Sequence, residues 1–121
     1  MATVRYMVLD VGSAVDFYVG LLGFAEKERY GPAMAIIARD DLNLWLAGPA
    51  SSAARPMPDG RAPAPGGWNR LVIEVDDLDA VVERLRDAGA TFRNEPISGP
   101  GGSQVLIEDP SGNPIELFAA R

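Results

Sequence analysis

The stretch "LDVGSAVDFYVGLLGF", Leu9 to Phe24, decides the fold, because it returns 66 residues later as "VDDLDAVVERLRDAGA", Val75 to Ala90. At that offset Asp10 falls on Asp76, Ala14 on Ala80, Val15 on Val81 and Gly23 on Gly89. Self-similarity of this kind is the mark of one supersecondary unit used twice. Each copy opens on a β-rich run, "VRYMVLDV" or "NRLVIEV", and continues into apolar residues at helical spacing. Each then stops at a glycine, the residue best suited to the backbone just past a helix end. The first helix is expected from about Ser13 as N-cap, with Val15, Tyr18, Leu21 and Leu22 on one stripe. Asp77 or Asp79 opens the second, which carries Val81, Val82, Leu85 and Ala88.

Working outward, three strand-like segments follow each glycine. They are "FAEKERYG", "AMAIIARD" and "LNLWLA" in the first copy, then "ATFRNEP", "SQVLIED" and "PIELFAA" in the second. Each half therefore reads βαβββ, and the fold class is α+β. The expected organisation is a single domain, residues 1–121. Module one covers about 1–47 and module two about 68–121. Between them, residues 48–67 are crowded with Pro, Gly, Ala and Ser, the composition of a flexible connection. Its length suits either a functional segment or an arm through which halves exchange between chains. "DPSGNP", Asp109 to Pro114, is a tight turn by its own chemistry, with Pro fixing one dihedral and Gly permitting positive φ.

The bulk numbers fit one compact core. With 121 residues, 47% apolar and 23% charged, the chain has ordinary globular composition. A net charge of −6 argues against nucleic acid, which needs clustered Lys and Arg, and tolerates or attracts a cationic ligand. No apolar run reaches the ~20 residues that span a bilayer, and the opening "MATVRYMVLD" lacks the apolar core of a secretion signal. The expectation is a cytoplasmic protein. The chain contains no cysteine and no histidine, which removes disulfides, thiolate nucleophiles and imidazole or sulfur metal ligands.

The doubled βαβββ pattern, the run "AVDFYVGLLGF", its counterpart "VDDLDAVVERLRDAGA" and the closing "DPSGNPIELF" together resemble the vicinal oxygen chelate superfamily. That group includes glyoxalase I, bleomycin-resistance proteins and extradiol dioxygenases. The resemblance implies two curved mixed sheets, each with a helix on its outer face, pairing to form an open barrel-like groove. In metal-using members each half supplies one inward ligand from its first strand and one from its last. Carried over by position, those sites are Thr3, Asn43, Arg70 and Glu116, of which only Glu116 keeps the family's ligand type. Arginine is a permanent cation with no lone pair to give, so Arg70 repels the ion a histidine would hold. Oxygen-bound magnesium, on Asn43, Glu116 and water, is the metal arrangement such donors leave open. The expectation is no metal and no cofactor, with Arg70 and Glu116 forming an ion pair as the brace. Two roles are open to that pair: closing the base of a groove or contacting a ligand.

Strand alternation extends the site. With Leu71, Ile73 and Val75 under the helix, Arg70, Val72 and Glu74 face the cavity. With Ile115 and Leu117 under it, so do Glu116 and Phe118. "LNLWLA" buries Leu42, Leu44 and Leu46 and turns Asn43 and Trp45 to the cavity. Thr3 brings Arg5 and Met7 with it, and Val105 and Ile107 leave Gln104, Leu106 and Glu108 opposite. The ligand-binding candidates are thus Arg5, Asn43, Trp45, Trp68, Arg70, Glu74, Glu116 and Phe118. Trp45 and Trp68 suit a planar ligand, or equally packing at a dimer interface or under the connecting segment. Glu74 is either a general base or a partner of Arg5 or Arg70, the pairing being expected. Tyr6, Tyr18 and Tyr30 are assigned to packing.

The expected function is metal-independent sequestration of a small molecule, cationic or planar, such as an antibiotic or related metabolite. A homodimer is expected by resemblance. The alternative is an enzyme, a lyase, isomerase or hydrolase with Glu116 or Glu74 as acid or base and Arg70 stabilising charge. A metal-dependent glyoxalase or dioxygenase and a degenerate interaction module complete the readings.

Overall fold

The computed structural model describes all 121 residues, Met1–Arg121. They form two compact units, Met1–Gly66 and Gly67–Arg121. The first runs β1 (Ala2–Met7), α1 (Val11–Leu21), β2 (Ala25–Tyr30), β3 (Met34–Arg39) and β4 (Leu42–Ala47), followed by one turn of 3-10 helix at Ser52–Ala54. Its sheet has the order β1-β4-β3-β2, with β1 parallel to β4 and the other pairs antiparallel. The second runs β5 (Leu71–Glu74), α2 (Leu78–Asp87), β6 (Thr91–Phe92), β7 (Ile97–Gly99), β8 (Gly102–Glu108) and β9 (Pro114–Ala120). Its order is β5-β9-β8-β6, with β5 parallel to β9 and β7 also paired to β8. The class is α+β, as expected, and neither sheet closes on itself.

The helices begin where a carboxylate can satisfy the free N–H groups of their first turn. Asp10 stays extended, and its Oδ2 accepts from Ser13 N at 2.8 Å. Helix α1 therefore starts at Val11, ahead of the expected Ser13, whose hydroxyl instead bonds back to Asp10 O. The same bond from the Ser13 N–H holds the Asp10 carboxyl below its ordinary pKa. Asp77 caps α2 by accepting from Ala80 N at 3.1 Å. The repeat is thus one residue out of step at the helix starts, with Asp77 rather than Asp76 as the second cap. It is back in step at the ends, where Gly23 and Gly89 take φ of 73° and 79°.

In the first unit Tyr18 is fully buried, with the rings of Phe17 and Phe24 edge-on at 5.2 and 5.4 Å. Leu44, Leu46 and Ile37 pack in the same core. Tyr30 corrects its assignment to packing: it is 54% exposed, at the end of β2, an edge strand exposed along its whole length. The charged sequence of β2 suits an edge that must not recruit another strand. In the second unit α2 buries Leu78, Val82 and Leu85, while Val81 is half-buried and Ala88 exposed. The stripe therefore begins at Leu78, one turn earlier than expected. Against it lie Val105, Ile107, Ile115 and Leu117, all fully buried.

"ATFRNEP" is not one strand. It breaks after Phe92, and β7 begins only at Ile97, because the chain between the pairs Phe92↔Ile107 and Ile97↔Gln104 is longer than the stretch of β8 it faces and bulges out of the ladder. Across the gap Arg93 N donates to Leu106 O at 2.9 Å and Leu106 N donates to Asn94 Oδ1 at 2.9 Å. The turn from β8 to β9 rests on a buried pair. Asp109 Oδ1 accepts from Ser111 N and Asn113 N at 2.8 and 2.9 Å, and its Oδ2 accepts from Asn113 Nδ2 at 2.9 Å. No helix is long and apolar enough to cross a membrane.

Candidate functional site

In the second unit the strand pairing sets the site. Val72 lies opposite Glu116 and Glu74 opposite Phe118 across β5 and β9. On the other side of β9, Leu106 lies opposite Glu116 and Gln104 opposite Phe118. The residues between these, Leu71, Ile73, Ile115 and Leu117, are buried, so the alternation anticipated from sequence puts the others on the open face of the sheet.

Arg70, just before β5, reaches across that face to Glu116. Its Nε and Nη2 both donate to Glu116 Oε1, at 3.1 and 2.9 Å, and its Nη1 donates to Trp68 O at 3.3 Å. The Glu116 side chain is only 11% exposed, so this is a largely desolvated ion pair. Both bonds fall on one oxygen, and Oε2 keeps its lone pairs. Glu74 is exposed and has no ion-pair partner, which corrects the expected pairing with Arg5 or Arg70. Arg70 is instead turned towards Glu116 and the Trp68 carbonyl.

A second arginine, which sequence reasoning did not single out, organises the same face. Arg93 Nε donates to Glu108 Oε2 at 2.7 Å, Nη1 to Gly67 O at 2.8 Å and Nη2 to Gly112 O at 3.0 Å. Its guanidinium lies 4.7 Å from the centre of the Trp68 indole. One side chain thus ties the start of the unit, the β8–β9 turn and an exposed tryptophan together. Alternation from Phe92, which lies opposite Ile107, gives the side on which Arg93 projects, but its backbone partners at Gly67 and Gly112 leave no side-chain signal.

In the first unit Thr3 lies opposite Asn43 and Arg5 opposite Trp45. The Arg5 guanidinium sits 5.1 Å from the Trp45 ring centre. Leu44 and Leu46 are buried, while Asn43 and Trp45 are half-buried, as alternation requires. The caps allow the two units to be compared. Thr3 stands seven residues before Asp10, as Arg70 does before Asp77. Arg5, opposite Trp45, stands five before its cap, as does Val72, opposite Glu116. Trp45, rather than Asn43, therefore occupies the position equivalent to Glu116.

These residues do not suit a transition metal. The chain has no histidine or cysteine, no three carboxylates cluster as a ligand set, and the Glu116 carboxylate is already paired with a permanent cation through Oε1. A cleft of about 360 Å³ in the second unit, lined by Asp76, Asp77, Asp79, Ser103 and Arg121 among others, lies off this face and contains none of the sequence candidates.

Known proteins are similar to this chain in sequence and fold. The chain is 32% identical over 117 residues to the proteins named "Putative glyoxylase CFP32" of Mycobacterium bovis and Mycobacterium tuberculosis, over 92% of its own length. It spans only 42% of the length of those relatives. Among solved structures it is similar to a glyoxalase/bleomycin resistance protein/dioxygenase superfamily member from Sphaerobacter thermophilus, with TM-score 0.77, 27% identity and coverage of 98% and 95% of the two chains. It is similar also to TnmS3, an antibiotic binding protein from Streptomyces sp. CB03234, with TM-score 0.72, 29% identity and coverage of 98% and 93%. A lactoylglutathione lyase from Agrobacterium tumefaciens, 19% identical with TM-score 0.76 over 98% and 92%, shares the fold. The profile of the Glyoxalase/Bleomycin resistance protein/Dioxygenase superfamily matches residues 1–117, both βαβββ units together, and the chain belongs to that superfamily.

Proposed function

We propose that this protein binds and sequesters a small molecule, an antibiotic or related metabolite, without a metal and without changing it chemically. The observation that carries the reading is the Arg70–Glu116 pair. A guanidinium pairs, through two hydrogen bonds to Oε1, with the carboxylate that a metal would otherwise take. Around it the open face is mixed, with Val72, Leu106 and Phe118 beside Gln104 and Glu74, the composition expected of a small-molecule site. The 29% identity to an antibiotic binding protein favours the same class of activity. We further propose a homodimer in the cytoplasm, in which exposed apolar residues such as Val72 and Ile97 are partly covered.

The test is calorimetric titration of a panel of aromatic natural products, with and without chelator, followed by mass analysis of each compound after prolonged incubation. Saturable binding, indifferent to chelator, with ligand mass unchanged, is the expected result. Turnover of a bound compound would replace this reading by the enzymatic one. That second reading is favoured by one observation: Glu74 is an exposed carboxylate without an ion-pair partner, available as an acid or base beside Phe118. It predicts activity lost in Glu74→Gln with binding retained.

A further inference from the structure

Trp68 is 69% exposed, yet it is held more firmly than an exposed side chain needs to be. Its carbonyl accepts from Arg70 Nη1, the preceding carbonyl of Gly67 accepts from Arg93 Nη1, and the Arg93 guanidinium covers one face of the indole at 4.7 Å. Arg93 itself is only 16% exposed and is fixed by Glu108 and Gly112. The indole is thus oriented in advance, which lowers the entropy lost when a second ring stacks on its free face.

Beside it stands an acceptor. Arg70 bonds both Trp68 O and Glu116 Oε1, so the two residues share one guanidinium. Glu116 Oε2 accepts nothing, and it reaches the surface, since no buried side-chain oxygen of the chain lacks a partner. The charges on this face also leave a remainder. Arg70 is neutralised by Glu116 and Arg93 by Glu108, which leaves Glu74 unbalanced, across from Phe118 on the same face as Glu116. An anion would meet two carboxylates and no uncommitted arginine. A cation with an N–H to donate would satisfy both.

We infer that the open face of the second unit selects a planar aromatic cation, stacked on Trp68 and donating an N–H to Glu116 Oε2. This names the ligand class for the binding reading above and rests on it. The experiment is isothermal titration of the full chain in moderate salt, with and without chelator, with proflavine as planar cation and 2-naphthalenesulfonate as planar anion. Proflavine is expected to bind at least about tenfold more tightly. Trp68→Ala should weaken it about tenfold, the usual worth of one stacking contact, and Glu116→Gln by a similar factor. Glu83→Gln, on the exposed side of α2, should change nothing, which separates a built site from general attraction to an acidic chain.

Equal or tighter sulfonate binding, no binding of either probe, an unchanged affinity in Trp68→Ala, or an equal loss in Glu83→Gln would each overturn the inference. If Glu116→Gln fails to fold, Trp68→Ala still decides, because its side chain is exposed and leaves the core untouched. Tight sulfonate binding without turnover would sink the cation and leave the sequestering reading standing. Binding abolished by chelator would sink the metal-free reading, and the Trp68 and Glu116 variants, compared at equal metal load, would still judge this site.

Discussion

The two units repeat one connectivity and use it differently. In the second, the arginines of the open face are committed: Arg70 to Glu116, and Arg93 to Glu108 and two carbonyls. In the first, Arg5 rests on Trp45 and makes no ion pair, and a tryptophan stands where the second unit has its buried carboxylate. A duplicated scaffold fixes where side chains project. The residue type at each projection decides whether that place is an internal brace or a free contact surface.

The contrast can be broken by mutation. The largest effect is expected at the base of the second unit's last turn. Asp109→Ala removes a buried acceptor of three bonds and leaves their donors unpaired. It should cost about 3 kcal/mol in urea denaturation. Next, Arg70→Ala should cost about 2 kcal/mol, because it strands a largely buried carboxylate. Its counterpart Arg5→Ala should cost only about 0.5–1 kcal/mol, the worth of an exposed cation–π contact. Equal losses at Arg5 and Arg70 would erase the distinction between braced and free faces.

A smaller effect concerns the helix cap of the first unit. The Asp10 carboxyl has its pKa lowered by the Ser13 N–H, so its contribution is full above the ordinary carboxylate value and fades as pH falls through the folded value. Asp10→Ala should lower the thermal midpoint slightly at neutral pH, with the gap to wild type narrowing in acid. A gap that widened in acid would contradict this origin.

The sequence carried the architecture because its signals are local and repeated. Apolar alternation at Leu71, Ile73, Ile115 and Leu117 fixed which way Glu116 turns, and two glycines marked where the helices end. The capping residue of α1 was missed because Ser13 and Asp10 are both good caps, and only geometry shows which one stays extended. The pairing of Arg70 with Glu116, 46 residues apart, was legible as like positions on one face. The Arg93 network was not, because its partners are mostly backbone carbonyls, Gly67 O and Gly112 O, which no side-chain pattern records. The broken strand before β7 was missed for the converse reason, since Asn94 Oδ1 gives Leu106 N the acceptor that the backbone of a continuous strand would provide.

Arg70 is proposed to occupy Glu116 in place of a metal. Elemental analysis of protein purified without added metal, with native mass spectrometry of the same sample, tests it most directly. Far less than one equivalent of divalent metal per chain, in a protein that still takes up ligand, is the expected result. One tightly held metal per chain, lost together with ligand binding on chelation and on Glu116→Gln, would contradict it.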